Sequence, residues 1–329
     1  MLFRVVYVKI IRLALPGQER LVHRMKNIKK ALALPGLVFA TVLWGFSFVV
    51  CKDAVQVITP VYMIAFRFTI ASVLMIPFLY KKIRRMTLQD LKCGVLIGIA
   101  LFVSYVLQTY GVKYTTAGNN AFLTTTYVII VPFLYWIYAK KRPDFFTFSA
   151  AALAMAGIGF ITLGNGVSSV NKGDFLTILC GLTFAVHILM LSVYTKEHDV
   201  SLMTFLQLAT AGVLGWIFAP LTEGKLVFHG LAAGEVSLFY IIGVLVFLSV
   251  GCSMICFYLQ TMGLKYIRAT VASIVLSMEA IFGVVFSVIL GDEKLTAKVL
   301  IGFALILISV IMSETKFGYQ GAKKAGVKK

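Results

Sequence analysis

Ten apolar stretches, each close to the roughly 20 residues that cross a bilayer, dominate this chain of 329 residues. They run over 34–51, 60–80, 92–111, 117–138, 146–164, 174–194, 201–221, 237–262, 269–290 and 297–314. The gaps between them are short and rich in Gly, Lys, Asp or Pro. The longest, 222–236, has room for a turn but not for a folded domain. Composition agrees: 60% of the residues are hydrophobic and 13% charged, against about 45–50% and 25% in ordinary soluble domains. So few charges cannot cover a water-facing surface of this size. A soluble enzyme and a disordered segment are excluded, and an all-α integral membrane protein is expected.

The formal charge of +18 is distributed by side. Counting Lys and Arg gap by gap puts 24 on the side that holds both termini and six on the other (Lys52, Lys113, Lys172, Lys225, Lys294, Lys298). By the positive-inside rule, both termini face the cytoplasm and the number of spans is even. The expected location is the cytoplasmic (inner) membrane. This use of the basic residues, without an RNA- or DNA-reading motif, argues against nucleic acid as a partner. Cys51, Cys93, Cys180, Cys252 and Cys256 lie in or beside apolar runs and lack metal-ligand neighbours. They read as packing residues, and no metal or cofactor is implied.

An internal repeat is visible. Leu107-Gln108-Thr109-Tyr110-Gly111-Val112-Lys113-Tyr114 recurs as Leu259-Gln260-Thr261-Met262-Gly263-Leu264-Lys265-Tyr266, with six of eight positions identical at an offset of 152. The copies close the third and eighth stretches, so the repeating unit is five helices. Five is odd, so the two halves enter the membrane in opposite senses. Two inverted five-helix repeats are characteristic of secondary transporters, whose site forms between halves that rock about it.

Several segments together resemble a known family. They are Trp44-Gly45-Phe46-Ser47-Phe48, Arg67-Phe68, and Thr116 to Thr124 followed by Tyr127 and Val131-Pro132. Ser277-Met278-Glu279-Ala280-Ile281-Phe282 and Leu290 to Thr296 complete the set. Their order and spacing resemble EamA-type permeases of the drug/metabolite transporter superfamily over about residues 30–315. The resemblance implies a basic segment 1–31, repeats at 32–164 and 172–315, and a basic tail 316–329. It also implies a central cavity lined by helices one to four and six to nine, and export or exchange of small metabolites. Ala139-Lys140-Lys141 departs from the family, where a Gly-Glu pair often closes the fourth helix. Residues 1–24 have no recognised counterpart. Met25-Lys26-Asn27-Ile28-Lys29-Lys30 reads as a family-like start, and the alternative for the preceding residues is a basic surface helix carrying Arg4, Lys9 and Arg12. No cleaved signal peptide is expected.

Candidate functional residues are the polar groups inside the apolar stretches. Glu279 is the one acidic residue in the middle of a stretch. A charge there costs on the order of 3 kcal/mol on insertion scales. Its carboxyl either exchanges a proton as access alternates, coupling H⁺ flow to substrate movement, or stays neutral and bonds a neighbouring helix. Arg67 can bind a substrate carboxylate or phosphate, pair with Glu279, or snorkel to the interface. Asn120, Thr124 and Tyr127 form a polar stripe that lines a wet cavity or joins helices. Trp44 and Ser47 share a face, with Trp44 either stacking on substrate or filling the core. His187, with Thr183 one turn before it, is a proton relay or a satisfied interior histidine. Gln108 and Gln260, near the ends of their stretches, read as caps or helix contacts, and Gly94 and Gly98 as a helix-packing pair.

A secondary transporter for a small organic solute is therefore expected, its partners being that substrate and the lipid bilayer, with a homodimer also open. An amino acid or related amphipathic metabolite suits the lining. Drugs or nucleotide-sugar-like solutes are the alternative. An intramembrane enzyme needs a clustered catalytic set, and the four histidines at 23, 187, 198 and 229 do not build one. A channel needs pore-lining charge rings or a carbonyl filter. The absence of a phosphate-binding Gly-Lys-Ser/Thr loop argues against ATP as the direct energy source.

Overall fold

Local capping signals set where the helices begin. The computed structural model describes residues 16–140, 142, 145–162, 171–290, and 297–312 apart from 299, 303, 306, 307 and 310. The expectations for Arg4, Lys9 and Arg12, for the 291–296 part of the closing motif and for the tail 316–329 lie outside the described residues. The helices are α1 (Pro16–Val57), α2 (Pro60–Ile83), α3 (Leu88–Tyr114), α4 (Ala117–Thr124), α5 (Tyr127–Ala139) and α6 (Phe145–Thr162). They continue as α7 (Lys172–Tyr194), α8 (Val200–Glu223), α9 (Leu238–Val246), a π-helical segment (Phe247–Ile255), α10 (Cys256–Tyr266), α11 (Ala269–Leu276) and α12 (Met278–Leu290). Among the described residues no strand forms, and Ile58 with Phe228 makes an isolated antiparallel bridge.

Thr87 with Asp90 and Asn171 with Asp174 form reciprocal capping boxes at the starts of α3 and α7. Pro60 opens α2, where a missing N–H costs nothing. Glu223 accepts from the backbone N–H groups of Val61 and Tyr62 and from the hydroxyls of Thr59 and Tyr110. It thus ties the end of α8 to the start of α2 and to α3. Lys52 Nζ donates to the carbonyls of Val112 (3.0 Å) and Thr115 (2.6 Å), satisfying the open end of α3. The gap after α8 turns at Gly224, Gly230 and Gly234, with φ of 73°, 76° and 74°, a conformation that a side chain would strain.

Among the described residues, eight helices are long and apolar enough to cross a membrane. Ala117–Ala139 and Ala269–Leu290 each count once, as spans broken near the middle. The expected fifth span forms the shorter apolar helix α6, and the expected tenth is helical at every described position from 297 to 312. Phe78, Ile137, Leu221 and Phe239 are exposed on the outside of the helix array, the apolar face a multi-pass membrane protein offers to lipid. Inside it, α1 packs on α10 and α12, while α7 packs on α3, α4 and α5. Also, α2 packs on α8. Gly94 and Gly98 allow α3 to meet α8: a Cβ on Gly98 would stand 2.9 Å from Gln207 O.

The two breaks share a local hydrogen-bond pattern. Thr125 Oγ1 donates to Phe122 O (2.7 Å) and Thr126 Oγ1 to Leu123 O (2.8 Å), while Ser277 Oγ donates to Ile274 O (2.7 Å). Hydroxyls that bond carbonyls of the preceding turn compete with the helical ladder. Thr125 and Ser277 stand 152 apart, the offset of the sequence repeat.

Candidate functional site

A residue at the start of the helix after each break faces the centre. Tyr127 opens α5, Glu279 lies in the first turn of α12, and Tyr127 Oη donates to Glu279 Oε1 at 3.0 Å. The pair is buried and lines a cavity whose other walls come from α1, α2, α3, α4, α7, α10 and α11. Trp44, Ser47, Phe48 and Cys51 face it from α1, and Arg67 from α2. Tyr105, Gln108, Thr109 and Val112 come from α3, Asn120 and Thr124 from α4, and Phe184 and Ile188 from α7. Phe257, Gln260 and Leu276 complete the lining. About 560 Å³ of non-atom space, the open solvent at its mouth included, lies among these groups. The centre of a water molecule has only about 40 Å³ to move in. That holds a few waters, so the lining must part to admit a metabolite.

Arg67 is 2% exposed. Snorkelling to the interface, open on sequence, is thereby overturned: α2 turns this side chain inward. Its Nε donates to Ser253 Oγ at 3.0 Å, and the guanidinium carbon stands 4.6 Å from the Tyr105 ring centre and 5.2 Å from that of Phe68. Pairing with Glu279 is not what the structure has, since neither a hydrogen bond nor an ion pair joins them; Glu279 is bonded by Tyr127 instead. Trp44 Nε1 donates to Cys252 O at 2.9 Å, and its ring packs 5.4 Å from that of Phe257. Cys252 and Ser253 both belong to the π-helical segment, so α1 and α2 each engage that irregular turn, a feature frequent at functional sites.

Asn120 bridges helices. Its Nδ2 donates to Gln108 O (3.2 Å) and Thr177 Oγ1 (2.8 Å), and Gln108 Nε2 donates to Thr124 Oγ1 (3.3 Å). Among the described residues, Arg67 Nη2, Asn120 Oδ1, Gln260 Oε1 and His187 Nδ1 are buried without a hydrogen-bond partner. Buried polar groups normally find one; the first three belong to side chains that line the cavity, and His187 does not.

Seven of the eight residues singled out from sequence (Trp44, Ser47, Arg67, Asn120, Thr124, Tyr127 and Glu279) therefore meet around one space. His187 does not line it. Its Nε2 lies 2.8 Å from Gln207 Oε1, Gln207 Nε2 donates to Thr261 Oγ1, and Thr261 Oγ1 donates to Phe257 O. The chain of donors assigns the Nε2 proton to His187 and ties α7, α8 and α10 together. α8 contributes no lining residue, contrary to the expected participation of helix seven. Gln108 and Gln260, read as caps or contacts, line the cavity in matching repeat positions. Phe48, Cys51, Tyr105, Thr109, Val112, Phe184, Ile188, Phe257 and Leu276 were not singled out; as aromatic, apolar and small groups in apolar helices they carry no sequence signal.

A family model described as the EamA-like transporter family matches residues 31–163 and again residues 171–315. The chain belongs to the EamA-like transporter family. Among its relatives, an uncharacterized transporter of Archaeoglobus fulgidus is 32% identical over 290 residues, covering 87% of each chain. The uncharacterized transporter YcxC of Bacillus subtilis is 26% identical, covering 82% of this chain and 88% of its own. A biotin transporter of Escherichia coli is 24% identical over 219 residues, 62% of this chain and 73% of that one. A solved crystal structure shares the fold, with a TM-score of 0.69 at 15% identity over 86% of this chain and 96% of the other. Membership of the EamA-like transporter family makes the chain a multi-pass membrane transporter.

Proposed function

We propose that this transporter moves a small organic solute, an amino acid or related metabolite, out of the cytoplasm by alternating access, with the cavity around Tyr127 and Glu279 as its site. The observation that carries the reading is the lining itself. It combines aromatic rings, amide groups, one guanidinium and one carboxyl in an enclosed space at the breaks of two spans. Discontinuous helices at mid-membrane are where secondary transporters build their sites.

On this reading the chain has ten spans, as inverted five-helix repeats at 32–164 and 172–315, with both termini cytoplasmic in the inner membrane. Three observations support it: the family model matches twice, the breaks recur at an offset of 152, and the packing pairs exchange. α1 on α10 and α12 corresponds to α7 on α3, α4 and α5, as it must if the halves swap roles. In the cavity, Trp44, Ser47, Asn120 and Thr124 contact solute with Arg67 and Tyr127, while His187 holds helices. Glu279 gives up a proton to the cytoplasm as solute binds. It regains one from outside after release, so inward proton flow drives export.

Purified protein in liposomes should take up at least one labelled member of a panel of amino acids, biotin and other small metabolites. Uptake should saturate, be stimulated by an imposed pH gradient, and be absent from protein-free liposomes. No saturable uptake of any member would overturn the reading. Nucleotide-sugar-like solutes and drugs in the same panel test the alternative substrate class.

A further inference from the structure

We infer that the solute is an organic anion, held by its carboxylate at Arg67. The inference rests on the cavity being the transport site and names the class of substrate that it takes. A guanidinium 2% exposed inside a membrane protein ordinarily pairs with an opposite charge or with backbone carbonyls. Here it bonds Ser253 Oγ and lies against the Cys51 thiol, and the faces of Tyr105 and Phe68 offer only cation–π attraction. Among the described residues no acidic side chain is ion-paired or hydrogen-bonded to it. Glu279, the acid lining the same cavity, is bonded by Tyr127. The Arg67 Nη2 remains buried and unpartnered on the cavity wall.

A buried cation with an unused donor favours a ligand that brings a negative charge and planar acceptor atoms. A carboxylate meets a guanidinium with paired, charge-assisted hydrogen bonds. The rings of Trp44, Tyr105 and Phe257 beside it favour an apolar or aromatic body on the acid. An uncharged amide of the same shape loses the charge term. An amine of the same shape meets repulsion.

The test uses the full purified chain and matched probes: phenylacetate, hexanoate and benzoylglycine, each against its amide, with 2-phenylethylamine as the cation. Binding is read from the concentration-dependent rise in unfolding temperature. At least one acid should bind at least tenfold more tightly than its amide, and the amine should not bind. Arg67→Gln should bring acid and amide to equal affinity, while Arg67→Lys should keep part of the preference. The wild-type ratio stands even if Arg67→Gln fails to fold, and Arg67→Lys then carries the residue-specific arm. Equal binding of acids and amides, no binding of any acid, or full preference in Arg67→Gln would overturn the inference. Uptake of the same probes into liposomes separates the two ideas. Acid-selective binding without transport contradicts the transporter reading and leaves the anion site standing. Transport without acid preference does the reverse.

Discussion

Tyr127 and Glu279 occupy equivalent places in the two halves of the chain, 152 positions apart, and are hydrogen-bonded to each other at 3.0 Å. Each follows a helix break at which hydroxyls bond back to the preceding turn. The contact therefore joins the halves where both spans are irregular, and it couples a titratable group to a joint that must move if access alternates. Tyr127→Phe removes the hydrogen bond and keeps the ring. It should lower gradient-driven uptake at least several-fold while costing about 1 kcal/mol of stability, read by uptake and thermal unfolding of the same preparation.

Cysteine chemistry tests the cavity independently. All five cysteines are free thiols, four are buried, and Cys51 on the cavity wall is only half-buried. A small thiol reagent should label one site per native chain. Cys51→Ala should remove that labelling, and a transported solute should slow it several-fold in wild type. Labelling that persists in Cys51→Ala would contradict the placement.

His187 should behave as a structural residue. His187→Ala leaves Gln207 Oε1 without its partner, at a cost of about 1–3 kcal/mol. The unfolding temperature should fall, whereas the KM for a transported solute should stay within about twofold, because the side chain does not line the cavity.

Close helix contacts predict where an added methyl group is not tolerated. A Cβ on Gly45 would lie 2.8 Å from the backbone N of Gly283, and one on Gly111 would meet Thr177 Oγ1 and stand 2.8 Å from Asn120 Nδ2. Backbone cannot step aside, and Thr177 and Asn120 are buried and hydrogen-bonded to each other. Gly45→Ala and Gly111→Ala should therefore each destabilise by about 1–3 kcal/mol, as measured by thermal unfolding in detergent.

Asp199 gives a pH-dependent contact outside the spans. Burial pushes its carboxyl up, but the hydrogen bond and charge of Lys82, with backbone donors at the start of α8, outweigh that and leave it below the usual range. A lowered carboxylate contributes stability above its unfolded pKa of about 3.9 and loses it as pH falls through the folded value. With side chains 46% and 45% exposed, the ion pair is worth up to about 1 kcal/mol. Asp199→Asn should flatten the acid limb of the stability profile by that amount while keeping the cap on Leu202.

Much of the scaffold is written in local chemistry. Apolar length locates the spans, capping boxes mark the starts of α3 and α7, and a lone mid-stretch acid marks Glu279. Other features depend on neighbours. Gln108 and Gln260 read as caps because the third and eighth stretches end by hydropathy at 111 and 262; the helices run on to Tyr114 and Tyr266. Lys113 and Lys265 end the apolar run without ending the helix, so both glutamines lie a turn or more inside. Arg67 lies close enough to a span end to reach water, and only packing against Ser253 and Tyr105 turns it inward. His187 and Gln207 find each other across two helices, a pairing that spacing within one helix cannot reveal.

Solute exchange and net transport, measured side by side in Glu279→Gln liposomes, separate proton coupling at Glu279 from solute binding. Exchange of labelled for unlabelled solute needs the cavity and its rocking but no net proton movement. Uptake driven by a pH gradient needs the proton to be exchanged at residue 279. Glu279→Gln should retain exchange within a few-fold of wild type and lose gradient-driven uptake. Gradient-driven uptake at the wild-type rate in that variant would contradict proton coupling at Glu279.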